Sequence, residues 1–242
     1  MIEAATGLVL RTYPLTETSL IVHWLTPVAG RLATVAKGAR RPKSLFRGKL
    51  DLFYEADFSF NRSRRSELHN LREVTVRQTH SLLRQDLACL QQASYCAGLV
   101  ELATETETPL PAVFELMRGM LAHLAPGTPP APTIFAFEIK LLSELGLEPD
   151  LTRARLSDGA KAIIRMLDES AWDPVARLGL SRPQAGELGQ FLNEFLAYHL
   201  GRVPKGRDAA LGAWERPSPS APPDPHGKGP GRGSGNWPGM AE

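Results

Sequence analysis

The amino-acid sequence predicts an α+β chain: a small five-stranded barrel, then an all-α helical domain, then a disordered Pro/Gly-rich tail. Three observations predict it. Apolar and polar residues alternate in short runs up to about residue 78. From about Ser81 the apolar residues recur at helical spacing. Between Pro217 and Glu242, seven prolines and six glycines fill half of 26 positions, too little apolar content to offset the entropy of ordering. The chain therefore divides at 1–78, 79–210 and 211–242.

Within the first division, Gly7–Arg11 reads as a strand, and Thr18–Thr26 places Leu20, Val22 and Trp24 on one face. Gly30–Val35 follows Pro27 and Gly30, a turn signal. Leu50–Phe60 is the clearest alternation. Leu50, Leu52, Tyr54, Ala56, Phe58 and Phe60 share a face, and Phe53 is the one apolar residue opposite. Leu68–Arg77 completes five strands in under 80 residues, which suggests a barrel.

The helical pattern begins with Leu83, Leu87, Leu90, Ala97 and Leu102 on one amphipathic stretch. A second helix opens at Pro111 and carries Val113, Leu116, Met117, Met120, Leu121 and Leu124. A third carries Ile134, Phe137, Leu141, Leu142 and Leu145, with Thr133 as its cap and Gly146 as its stop. Ile163, Ile164 and Leu167 mark a fourth. Ser181 and Gln184 form a capping-box pattern for a fifth, which ends at Gly201.

The net charge is only +2, but it is unevenly spread. Residues 1–78 hold 13 Lys/Arg and 7 Asp/Glu, whereas 79–200 hold 9 and 15. A basic barrel suits a polyanion, and the asymmetry suggests two domains with different partners. Known catalytic patterns are missing: no phosphate-cradling Gly-Lys-Ser/Thr loop, no Gly-x-Ser-x-Gly and no His-Glu-x-x-His. The chain reads as a non-enzyme. His123 and His199 sit where a cation favours a helix C-terminus, and Glu101 and Glu105 face solvent together. Cys89 and Cys96 are expected to be small core residues. No apolar run approaches the ~20 residues that span a bilayer, and no secretory signal opens the chain, so a reduced cytoplasmic protein is expected.

The sharpest local feature is Lys37–Lys49, with Lys37, Arg40, Arg41, Lys43, Arg47 and Lys49 and no acid. Gly38, Pro42 and Gly48 place it on a loop between strands. Such a loop can follow a phosphate backbone and release its counterions, or it can simply be a solvated charged loop. Arg62, Arg64 and Arg65 form a second basic turn, and two basic loops on one barrel strengthen the nucleic-acid reading. Phe46 and Phe53 are candidates for stacking on bases, with burial the commoner role for such residues.

These residues also carry a resemblance. Gly7–Thr12, Glu17–Ser19, Val35–Ser44 and Gly48–Leu50 resemble the RecO family of bacterial recombination mediators. In the helical half, Phe137–Gly146 resembles the family's Phe-Glu-x-x-Leu-Leu-x-x-Leu-Gly segment, and His199–Gly201 with Lys205–Arg207 its C-terminal end. The resemblance implies an OB-fold barrel at 1–78 and a DNA repair role in the RecF pathway. That role comprises binding single- and double-stranded DNA, annealing complementary strands, and helping load RecA on DNA coated with single-stranded DNA-binding protein. RecR and the C-terminal tail of the single-stranded DNA-binding protein are the implied protein partners, and nucleoid association the implied location. Lys37, Arg40, Arg41, Lys43, Arg47 and Lys49 carry over as DNA-binding residues, with Arg11 added; Arg62, Arg64 and Arg65 rest on charge. Lys140, beside Leu141 and Leu142, is the candidate at the pocket for the partner's acidic tail. Many relatives place four zinc-binding cysteines after the Leu-Gly segment. Here Gly146–Leu151 runs into Leu156–Ala160 without one, so no zinc and no other cofactor is expected. An OB-fold RNA-binding accessory protein is the alternative.

Overall fold

The computed structural model describes residues 2–128 and 130–212. Of the disordered tail expected at 211–242, Leu211 instead ends a helix and is buried, and residues 213–242 lie outside the described residues.

Five strands form a closed barrel: β1 (Ile2–Pro14), β2 (Leu20–Thr26), β3 (Gly30–Ala36), β4 (Glu55–Asn61) and β5 (Leu68–Gln78). Their order round the barrel is β1-β2-β3-β5-β4, an OB-fold arrangement. β1 is long because its two halves serve different neighbours. Ile2 to Leu8 pair with β4, and Leu8 to Pro14 pair with β2 across a register shift between Val9 and Arg11. Only β3 and β5 run parallel.

The apolar run Leu8-Val9-Leu10 follows from burial on both faces of β1. Val9 points into the barrel with Val22, Trp24, Phe58 and Phe60. Leu8 and Leu10 point outward, into the helical core. Inside the barrel Trp24 stacks on Phe58 with centroids 4.0 Å apart, and its indole N–H donates to Thr34 Oγ1 at 2.9 Å.

The alternation over Leu50–Phe60 is strand only from Glu55 onward. Residues 50–54 are irregular, and Phe53 explains why. Its φ of +64° lies in the left-handed region, which turns the side chain out of the barrel and into the helical core. Its N–H donates to Val9 O at 2.8 Å, and Tyr54 O accepts from Val9 N–H at 2.9 Å, so the distortion is held by β1.

The helical half follows a 3-10 turn at Ser81–Gln85 and comprises α1 (Leu87–Ala103), α2 (Pro111–His123), α3 (Pro130–Glu144), α4 (Asp158–Glu169), α5 (Trp172–Ala176), α6 (Arg182–Leu200) and α7 (Arg207–Leu211). α3 is the central helix, since 11 of its 15 residues are buried. Thr133 is therefore not its cap: it lies buried within the helix, which begins at Pro130. α1 is likewise not simply amphipathic. Leu87 is exposed, and the buried set is Cys89, Gln92, Ala93 and Tyr95–Val100, because barrel, α3 and α7 cover it from several sides. The capping box at Ser181 and Gln184 is present, and α6 ends at Gly201. Short α5 and α7 have no periodic signal in the sequence.

α7 is pinned by a buried charge cluster. Arg207 donates from Nε and Nη2 to the two carboxylate oxygens of Glu138 at 2.7 and 3.0 Å. The Tyr95 hydroxyl donates to Glu138 Oε1 at 2.5 Å. Burial pushes the Tyr95 hydroxyl far above its usual range, so it stays a donor.

Candidate nucleic-acid interface

The Lys37–Lys49 loop joins β3 to the segment before β4 and is built as consecutive turns. The N–H groups of Ala39, Arg41, Ser44, Arg47 and Lys49 each donate to the carbonyl three residues back, at 3.0–3.3 Å. Gly38 and Gly48 both have φ of +70°, where a β-carbon is strained. With the backbone donors satisfied locally, the cationic side chains are left for solvent or ligand.

Two anchors fix the loop. Phe46 is buried in the barrel core, which excludes it as an exposed stacking platform; Phe53 is excluded likewise by its place in the helical core. The second anchor is the β1–β2 connection. Arg40 N–H donates to Thr18 O at 2.9 Å, and Gly38 N–H to Ser19 Oγ at 3.3 Å. Lys37, Arg40, Arg41, Lys43 and Arg47 are exposed and Lys49 half-buried. Among the described residues, no carboxylate pairs with any of the six.

The other predicted residues are placed differently. The second basic turn joins β4 to β5. Because β5 runs parallel to β3 and starts opposite Ala33, that turn lies at the Gly30 end of the barrel. The Lys37–Lys49 loop leaves from the Ala36 end. The two loops do not form one patch. Arg62 is moreover held by Glu3 and Glu107, with Nε 2.7 Å from Glu3 Oε1 and Nη1 2.8 Å from Glu107 Oε1. Arg64 and Arg65 are exposed. Lys140 lies on α3, half-buried, and donates to the Asp168 carbonyl of α4. Burial lowers its pKa.

Arg11 belongs to the joint between barrel and helices. It pairs with Glu101 of α1, which also lies 3.2 Å from His23 Nδ1. Glu101 therefore does not face solvent beside Glu105. Burial raises its carboxyl pKa, but the His23 contact and the Arg11 charge outweigh this and bring it below the usual range. Arg31 donates from Nε to Thr104 Oγ1 at 2.8 Å and accepts from Glu107 N–H through its carbonyl at 2.8 Å. At Gly30 a β-carbon would stand 2.0 Å from Thr108 O, so the barrel turn and the linker meet with no room for a side chain. His69 is buried beneath this seam. Ser63 N–H donates to its Nδ1 at 3.3 Å, which leaves the proton on Nε2, 2.7 Å from Glu107 Oε1. Part of the charge asymmetry thus joins the two halves to each other. His123 stands in the last turn of α2, as expected, but it stacks on Trp172 with ring centroids 5.3 Å apart, and burial lowers its pKa, which disfavours the charged form. Cys89 and Cys96 are buried, as expected of core residues.

The sequence model "Recombination protein O N terminal" matches residues 1–80, and "Recombination protein O C terminal" matches 84–155. Among curated relatives, "DNA repair protein RecO" of Exiguobacterium sibiricum is 33% identical over 162 residues, covering 67% of this chain and 64% of that protein. The protein of the same description from Bacillus subtilis is 32% identical over 151 residues, covering 62% and 58%. One from Listeria monocytogenes is 30% identical over 154 residues, covering 64% and 60%. The matched segment spans less than two thirds of each relative's length.

Proposed function

The chain belongs to the RecO family, and from that premise we propose that it is a DNA-binding mediator of recombinational repair that holds DNA on the Lys37–Lys49 loop. The observation that carries this is the loop itself: six cations clamped in place on an OB-fold barrel, none with a carboxylate partner among the described residues. Such a surface attracts phosphates of single- and double-stranded DNA alike and reduces the repulsion between two strands brought together. Annealing by charge screening uses no nucleotide hydrolysis, so the proposed role is non-catalytic. Action in the RecF pathway with RecR and the single-stranded DNA-binding protein, ending in RecA loading, is part of the same proposal.

The test is annealing of two complementary labelled strands coated with single-stranded DNA-binding protein, without ATP, at two salt concentrations. Acceleration that weakens with salt supports the reading. The variant carrying Arg40→Glu, Arg41→Glu and Lys43→Glu is expected to lose DNA binding while keeping its thermal transition. Unchanged affinity in that variant overturns the site assignment, and tighter binding of RNA than DNA of one sequence favours the RNA reading instead.

A further inference from the structure

Between the basic loop and the barrel wall lies a concavity of about 380 Å³. Its walls differ in chemistry. Leu20, Pro42, Phe46 and Leu50 supply apolar surface, and Arg40, Arg41 and Arg47 supply guanidinium groups. Arg40 reaches Thr16 O with Nη1 at 3.5 Å, and Arg47 reaches Pro42 O with Nη1 at 3.3 Å. Each guanidinium keeps further donors open, since it carries five N–H groups. Gly48 lines the concavity without a side chain.

A flat phosphate track needs no apolar wall. Duplex DNA presents phosphates outward and keeps its bases stacked inside, so Leu20 and Leu50 have nothing to gain from it. An unpaired nucleotide presents both a phosphate and an apolar base face. The concavity is at the small end of the range for organic ligands, roughly 300–1,000 Å³, which suits one nucleotide and not several.

We propose that this concavity seats one unpaired nucleotide, its phosphate among Arg40, Arg41 and Arg47 and its base against Leu20, Pro42 and Leu50. The inference rests on the DNA-binding reading above and deepens it: the charge of the loop attracts single strands and duplex alike, and the shape of the concavity favours the single strand. Phe46 contributes as floor, not as an exposed stacking ring, because it is only 8% exposed.

The test uses the full chain and fluorescence anisotropy with three labelled probes of one length: oligo(dT), an abasic oligomer with the same phosphates, and a duplex. Oligo(dT) is expected to bind about tenfold tighter than the abasic strand, equivalent to roughly 1.4 kcal/mol. Leu50→Ser is expected to remove most of that difference while leaving abasic and duplex binding unchanged, with its thermal transition as the control for folding. Equal binding of oligo(dT) and abasic strand by the unaltered chain overturns the nucleotide seat and leaves the phosphate reading standing. Failure to bind any of the three probes overturns the DNA-binding reading itself.

Discussion

Replacing Arg207 with leucine removes one half of a charge pair sealed inside the helical region. Glu138 has no exposed surface, and Arg207 is 6% exposed. Arg207 supplies two of the three hydrogen bonds to the carboxylate that the structure shows, at 2.7 and 3.0 Å; Tyr95 supplies the third. Hydrogen bonds to charged groups contribute roughly 1.5–3 kcal/mol each, so two lost bonds amount to about 3–6 kcal/mol. That range overlaps the roughly 3–5 kcal/mol observed when one partner of a buried pair is removed. Against a typical total of about 5–15 kcal/mol, Arg207→Leu should come close to unfolding the protein. The triple variant Glu138→Leu, Arg207→Leu, Tyr95→Phe removes the carboxylate together with both of its described side-chain donors and should recover most of the loss, because neither charge of the pair is left buried. Urea denaturation followed by circular dichroism, with both m-values compared, measures both variants. A loss below about 1 kcal/mol in Arg207→Leu, or a triple variant weaker than the single one, refutes the reasoning.

Two further perturbations separate the loop from the joint. Phe46→Ala removes no charge, yet it should destabilise the barrel by about 3 kcal/mol, the lower end for a buried aromatic, and weaken DNA binding by freeing the loop from its anchor; undiminished affinity in a folded variant contradicts the anchor. Glu101→Gln removes the acceptor shared by Arg11 and His23. Because the folded carboxyl pKa is lowered, its contribution is fully present above the unfolded value of about 4.3 and is lost as pH falls through the folded value. The stability gap between the unaltered chain and Glu101→Gln should therefore be widest near neutrality and shrink below about pH 4.3. Urea midpoints from pH 7 to 3 check this, and a gap that does not change with pH contradicts it.

The parts of this fold legible in sequence are those where one local rule acts alone. β4 alternates cleanly from Glu55 to Asn61, and the Ser181–Gln184 box marks the start of α6. The misreadings fall where two surfaces compete for one segment. Phe53 looked like a lapse in alternation, but its left-handed φ hands it to the helices. The stripe read on α1 failed because that helix is covered on several sides, so Leu87 is outside and Gln92 inside. Glu101 looked like a solvent-facing acid because its partners, Arg11 and His23, lie 90 and 78 residues away. Glu138 and Arg207 belong to two separate segments of the sequence, Phe137–Gly146 and Lys205–Arg207. Nothing short-range says that they meet, although an acid set among Phe137, Ile139, Leu141 and Leu142 is a signal for a buried partner.

The same distinction explains which cations keep their charge unpaired by a carboxylate among the described residues. A basic residue count treats Arg11, Arg31, Arg62 and Arg40 alike. The structure does not, because availability depends on whether an acceptor already reaches the group. Arg11 and Arg62 face carboxylates, and Arg31 faces Thr104, all at the seam between barrel and helices. The run from Lys37 to Lys49 contains no acid, and its backbone turns close on themselves, so neither sequence neighbours nor local folding neutralises it. The closed barrel adds the last condition. It sends the Arg62–Arg65 turn to the opposite end, which leaves the Lys37–Lys49 loop without that second basic segment beside it. The salt dependence of DNA binding should then track this loop alone. Each phosphate it neutralises lowers the slope of log K against log salt by about 0.7 for a single strand. Neutralising Arg64 and Arg65 should leave that slope unchanged, whereas neutralising Arg40 and Arg41 should make it visibly shallower. A slope that responds equally to both pairs means that DNA wraps the barrel from end to end, and the single-loop interface is then wrong.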